Sequence, residues 1–180
     1  MVPEARLESA EHGLAPTSDG WFVLNAREAR WRSADRRGAI SDLEGQYELP
    51  QLGIHLFVLG PGEPMSMYHW EADQEDFLVL AGEALLIVEG EERPLRQWDF
   101  VHCPAETKHV LVGARNAPCV VLAVGARAHS TGEGWGGYTV DEAALHHGAG
   151  VEQETTDQFE AYGRVERREQ TRYREGWLPA

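Results

Sequence analysis

The sequence predicts an all-β fold, an antiparallel barrel or sandwich with a helical extension at each end. Three observations predict it. Between about residues 52 and 126, eight short β-type runs follow one another: GIHLFVL, MSMYHWE, DFLVLA, EALLIVE, ERPLR, DFVHC, KHVLVG and CVVLAVG. The stretches between them, PGEP, AGE, EGEE, QW, PAET and ARNAP, carry the Gly, Pro, Glu and Asn that strand connections demand. No helical pattern interrupts the series, which argues for antiparallel pairing rather than helical crossovers.

At 180 residues the chain suits one ordinary domain. A composition of 42% hydrophobic and 26% charged residues is globular and can bury a core. The formal charge of -14 repels phosphate backbones and anionic lipid surfaces, so neither nucleic acid nor membrane is expected as a partner. MVPEARLESAEHG has acids and no apolar stretch of signal-peptide length, and a cytoplasmic location is expected. Cys103 and Cys119 lack C-x-x-C spacing and read as two buried free thiols.

Along the chain, residues 1–51 read as a loose arm followed by a short helix. In NAREARWRSADRRG, Asn25 and Glu28 form a capping box, Ala26, Ala29 and Trp31 give a weak apolar spacing, and Gly38 supplies a stop. Residues 52–126 are the barrel. Residues 127–180 open with the glycine-rich STGEGWGGY and continue as a helical extension. DEAALHHG reads as a short helix ended by Gly148, and TTDQFEAYGRVERREQTRY as a longer one opened by Thr155 with Gln158 three residues on. These tails have too few apolar residues for a core of their own. They are expected to pack outside the barrel or across a homodimer, with GWLP as an aromatic anchor.

The chemistry concentrates in YHWEADQE. Alternate side chains of a strand share a face, so MSMYHWE as a strand points Met65, Met67, His69 and Glu71 one way, and Tyr68 and Trp70 the other. The outward aromatics then need a cover. Glu75 follows the short turn ADQ, a reversal able to swing a third ligand against the first two, while His109 opens a strand about forty residues on. Imidazole mixed with carboxylate suits first-row divalent metals, whereas calcium or magnesium prefers an all-oxygen set. Met65, Met67, Phe77, Val79 and Leu111 are expected to wall an apolar substrate pocket. Isolated histidines such as His55 and His102 read as structural, and the clusters EGEE and RVERREQTRYR as a turn and a solvated helical face.

These residues resemble the cupin family, whose first motif runs G-x5-H-x-H-x3,4-E-x6-G and whose second runs G-x5-P-x-G-x2-H-x3-N. The first is matched by Gly62, His69, Glu71, Glu75 and Gly82; the second by Trp98, Pro104, Glu106, His109 and Gly113. Glu71 stands where the motif has its second His, Trp98 and Glu106 where it has Gly, and Gly113 where it has Asn. The resemblance covers roughly residues 52–126 and implies a jelly-roll barrel with one metal at its mouth. It implies His69, Glu71, Glu75 and His109 as ligands of a divalent transition metal, Fe, Mn, Ni or Zn. An alternative keeps His69, Glu71 and His109 as a facial triad and leaves Glu75 as a catalytic base. No Arg or Lys is assignable to hold an oxoglutarate carboxylate inside the barrel. The expected function is a metal-dependent enzyme of dioxygenase or isomerase type acting on a small molecule. A metabolite sensor and a scaffold dimer with a vestigial site are the alternatives.

Overall fold

The protein is described by a computed structural model covering residues 1–45, 49–129, 134–163 and 165–180. Part of the glycine-rich run, residues 130–133, lies outside these. The strands, in chain order, are β1 (Leu7–Ala10), β2 (Gly13–Pro16), β3 (Arg30–Ser33), β4 (Ala39–Asp42), β5 (Leu52–Leu59), β6 (His69–Glu71) and β7 (Glu75–Ala81). They continue as β8 (Glu83–Val88), β9 (Glu91–Arg96), β10 (Phe100–Cys103), β11 (His109–Gly113), β12 (Cys119–Ala126), β13 (Gly136–Tyr138) and β14 (Glu169–Arg172). Two short helices, α1 (Glu142–His146) and α2 (Gln158–Ala161), lie between the last two strands.

A seven-stranded sheet, β10-β7-β12-β5-β4-β3-β14, and a five-stranded sheet, β13-β6-β11-β8-β9, are antiparallel throughout; β1 and β2 form a separate hairpin. The core lies between the two larger sheets. Phe57, Phe77 and Val121 from the first meet Leu86 and Leu111 from the second in one apolar cluster. Cys103 and Cys119 are buried free thiols within it.

The fold keeps the expected barrel strands but replaces most of the expected terminal helix. NAREARWRSADRRG forms only a turn at Asn25, whose backbone carbonyl accepts from Glu28 and Ala29, before the chain enters β3. Period two wins over period 3.6 here because it buries Trp31 completely while leaving Arg32 exposed to solvent on the opposite face of the strand. Gly38 then belongs to a hairpin turn into β4 rather than to a helix end. DEAALHHG does contain the helix α1, capped by Asp141. The longer C-terminal helix is reduced to the four residues of α2, capped by Asp157, and EQTR becomes β14 on the edge of β3. That polar stretch has no apolar stripe for a helix to bury, while the free edge of β3 offers partners to its backbone.

The GWLP anchor is present. Trp177 packs against Trp31 with ring centroids 5.2 Å apart, and Leu178 joins the same cluster around Val58 and Val120. Tyr68 is covered by the chain itself: α1 and Ala149 close over it, and its hydroxyl accepts from the Gly90 N–H at 3.3 Å.

Two glycines of the motifs are fixed by close approach. At Gly82 (φ +73°) a Cβ would meet the Pro118 carbonyl oxygen at 2.5 Å, and at Gly113 it would meet that of Gly60 at 2.2 Å. Gly113 therefore suits its place because β11 ends pressed against the turn before Gly62, to which it is also hydrogen-bonded.

Candidate metal centre

Register puts the two histidines side by side. His109 on β11 faces His69 on β6 directly, and His69 in turn faces Tyr138 on β13. Directly opposed residues of antiparallel strands share a face, so the three rings form a row, with centroids 5.1 Å apart for the histidines and 5.9 Å for His69 and Tyr138. Glu75 comes from the other sheet. The turn Ala72–Gln74 carries the chain across, and Glu75 opens β7 with its Oε2 3.5 Å from His69 Nε2 and 3.2 Å from His109 Nε2.

Both imidazoles are oriented by their far nitrogen. His69 Nδ1–H donates to the Met67 carbonyl at 2.8 Å and His109 Nδ1–H to that of Thr107 at 3.0 Å. This leaves both Nε2 atoms aimed at Glu75, where a neutral ring would present its lone pair to a shared cation. One ligand atom from each of His69, Glu75 and His109 lies within 4.8 Å of the others. Glu75 Oε2 and His109 Nε2 are nevertheless buried without a well-formed hydrogen bond. Buried polar atoms left in that condition are costly, and a shared cation would satisfy them. An N,N,O donor set suits a first-row divalent metal, so the residues present fit the group that the motifs imply.

Charge coupling in the cluster is strong. Burial alone would push the His69 imidazole down, but Glu71 and Glu75 raise it to about 10. Burial likewise opposes the charged His109, which Cys103 and Glu75 raise to about 9. Burial would raise Glu75, yet the two histidines hold it well below the usual carboxylate range.

The cluster opens into a cavity of about 840 Å³ between the sheets. Met65, Phe77 and Leu111 line it, as does Glu71, whose Oε1 is 3.6 Å from His69 Nε2 but which stands outside the converging trio. Met67 and Val79 do not line it. Strand alternation placed Met67 with His69, but β6 begins only at His69; the irregular segment before it turns Met67 into a separate cluster with Tyr138 and Val151. Val79 is fully buried beside Val121 in the sheet.

His55 and His102 separate. His55 lines the cavity, and burial lowers its pKa; His102 points outward and pairs with Asp76 at 2.7 Å. Sequence reasoning missed His55, Tyr138, Arg37 and Arg168 as cavity residues. The last three come from the flanking segments, and none carries a motif. Arg168 even lies in the cluster expected to be a solvated helical face.

A double-sheet barrel with a His/Glu/His cluster at its mouth defines a class of β-barrel proteins able to hold a divalent metal. Residues 55–125 match the cupin-domain family, so this stretch of the chain is a cupin domain. No curated protein matches it. Among solved structures it is similar to a sugar phosphate isomerase from a cupin superfamily of Silicibacter pomeroyi, with 28% identity, 57% of this chain and 62% of that chain covered, and a TM-score of 0.45. The similarity thus spans less than two thirds of that protein. A cupin protein from Bacteroides fragilis shows 22% identity over 58% of this chain and 80% of its own, with a TM-score of 0.42. The polyketide cyclase RemF of Streptomyces resistomycificus shows 14% identity over 59% of this chain and 79% of its own, with a TM-score of 0.51, a likeness of fold.

Proposed function

We propose that the protein is a metal-dependent enzyme of dioxygenase or isomerase type, acting on a small molecule held in the cavity between the sheets. The observation that carries this reading is the convergence of His69 Nε2, Glu75 and His109 Nε2, with Glu75 Oε2 and His109 Nε2 buried without a well-formed hydrogen bond. His69, Glu75 and His109 hold one divalent ion, Fe, Mn, Ni or Zn, and Glu71 closes in as a fourth donor from the cavity wall. Glu75 serves as a ligand rather than a free base because both imidazoles face its Oε2. Such an ion polarises a substrate carbonyl or enediol, or activates dioxygen if it is redox-active.

The chain's own residues prepare the rest of the site. Burial, with Tyr162 and Glu71 nearby, pushes the Tyr138 phenol up, so it remains a proton donor beside His69. Met65, Phe77 and Leu111 supply an apolar wall that excludes water from one side of the substrate. A homodimer is part of the proposal: β10 is the outer strand of the seven-stranded sheet, and Phe100 on it and Trp98 before it are both exposed.

Elemental analysis of protein purified without an affinity metal, followed by anaerobic reconstitution with Fe(II), Mn(II), Ni(II) and Zn(II), tests the centre. About one ion per chain is expected, with affinity falling roughly a hundredfold in His109→Ala and Glu75→Ala and less in Glu71→Ala. Folded wild-type protein with no affinity for any of the four, or variants that keep full metal content, would sink the assignment.

A further inference from the structure

The cavity also carries buried and half-buried cations in its wall. Arg37 and Arg168 line it together with the His/Glu/His cluster, yet neither has a carboxylate within ion-pair distance among the described residues. Arg37 is only 9% exposed, and among the described residues the one hydrogen bond its guanidinium makes is from Nη1 to the Glu166 carbonyl at 3.2 Å; its ring neighbour is Tyr162, 4.6 Å from the guanidinium carbon. Arg168 donates from Nε and Nη2 to the Arg37 carbonyl, and from Nη2 to that of Met65 at 3.0 Å, and it lies over the Phe57 ring. These bonds hold the Arg168 guanidinium in place and leave its Nη1 donors without a hydrogen bond among the described residues. A guanidinium has five N–H donors, so both groups keep capacity for a further acceptor.

The contrast with Arg127 is informative. It also lines the cavity, but it is consumed by Glu44 at 2.7 Å and by the Leu49 carbonyl. Arg32 and Arg167 add two more guanidiniums at the cavity wall, again without an ion pair among the described residues. In a chain with thirty acidic residues against sixteen basic ones, four arginines around one cavity without a paired carboxylate run against the overall charge. Burial and the neighbouring charge of Arg37 lower the pKa of Arg168 to about 10, so its charge is held at a cost that an anion would offset.

We infer that Arg37 and Arg168 form an oxyanion subsite, so that the molecule taken by the cavity carries a carboxylate or phosphate group held by these two guanidiniums. This rests on the cavity being the substrate site proposed above. The pair suits either oxyanion, because both present several acceptor oxygens to N–H donors supplied by two guanidiniums. Phe57 beneath Arg168 and Tyr162 beside Arg37 provide a dry lining in which charge-assisted hydrogen bonds strengthen.

The test is calorimetric titration of the wild-type protein, metal-free and Mn(II)-loaded, with inorganic phosphate and with malonate at constant ionic strength. Saturable binding of at least one of them is expected in both forms, and the tighter of the two names the oxyanion. Arg37→Gln and Arg168→Gln should weaken it about tenfold or more, while Mn(II) affinity stays within about twofold and the surface variant Arg6→Gln behaves as wild type. Should a Gln variant not fold, phenylglyoxal modification of wild-type protein mapped by mass spectrometry gives a second reading: phosphate or malonate, but not chloride, should protect Arg168. Binding that vanishes on metal removal places the anion on the metal and overturns the subsite, as does binding indifferent to both arginines or absent protection. Loss of Mn(II) binding alone, with arginine-dependent anion binding intact, overturns the metal reading instead.

Discussion

Trp98 and Glu106 stand where the second motif has glycine, yet both adopt the glycine conformation, with φ of 76° and 70°. The backbone has a reason to stay there. The Glu106 N–H donates to the Glu71 carbonyl at 2.7 Å and the Trp98 N–H to that of Val79 at 2.8 Å, so each strained residue ties a turn to a strand of the barrel. A left-handed L-residue costs about 1–2 kcal/mol, and glycine adds back about 0.5–1 kcal/mol of chain entropy. Glu106→Gly should therefore raise the unfolding free energy by roughly 0.5–1 kcal/mol in urea titration, whereas Glu91→Gly, within β9, should lower it. At the centre itself, His69 raised to about 10 and His109 raised to about 9 mean that both imidazoles hold protons at neutral pH when no metal is bound. A metal takes the neutral ring, so its uptake must displace those protons and strengthen as pH rises toward 9. Calorimetry in two buffers of different ionisation heat at about pH 7.5 should show release of about two protons per Mn(II); no buffer dependence would contradict this.

At the scale of elements, the terminal segments are part of the barrel's walls. α1 covers Tyr68 and is opened by Asp141, whose Oδ1 accepts from the Ala144 N–H at 2.8 Å. Asp141→Ala should cost about 1 kcal/mol, readable as a lower thermal midpoint, with Asp141→Asn recovering most of it. β14 and the GWLP anchor close the far edge of the seven-stranded sheet over Trp31, whose Nε1–H donates to the Ala26 carbonyl at 2.8 Å. Trp177→Ala removes one wall of that aromatic cluster and should cost about 3 kcal/mol, with a red shift of the remaining tryptophan emission if Trp31 meets water. An unshifted spectrum would mean that the cluster closes without its C-terminal member.

At the scale of the molecule, a charge of -14 keeps copies apart, and association has to be driven by an apolar face. Sedimentation equilibrium should return twice the chain mass at moderate salt, with Phe100→Glu shifting the population to monomer; a wild-type monomer at high concentration would remove the dimer from the proposal. Among the described residues no helix is long and apolar enough to cross a membrane. The cavity gathers carboxylates and imidazoles from the barrel strands together with arginines from both flanks.

His69, Glu75 and His109 were legible in the sequence because strand period and motif spacing are local properties, and local pattern determines which face of a strand a residue occupies. The order of barrel strands was legible for the same reason, since turn chemistry punctuates them. Met67 was misplaced because parity holds only along a continuous strand, and β6 starts two residues later. The helix expected over NAREARWRSADRRG was misread because capping signals compete with tertiary burial, and Trp31 gained more from a sheet than from a weak apolar stripe. What only the tertiary structure decided is what the flanks bring to the cavity: Tyr138 through β13, Arg37 through the β3–β4 turn, and Arg168 from the chain before β14. Their roles depend on contacts across more than a hundred residues, such as Arg168 on the Met65 carbonyl, and no local pattern encodes a contact of that separation.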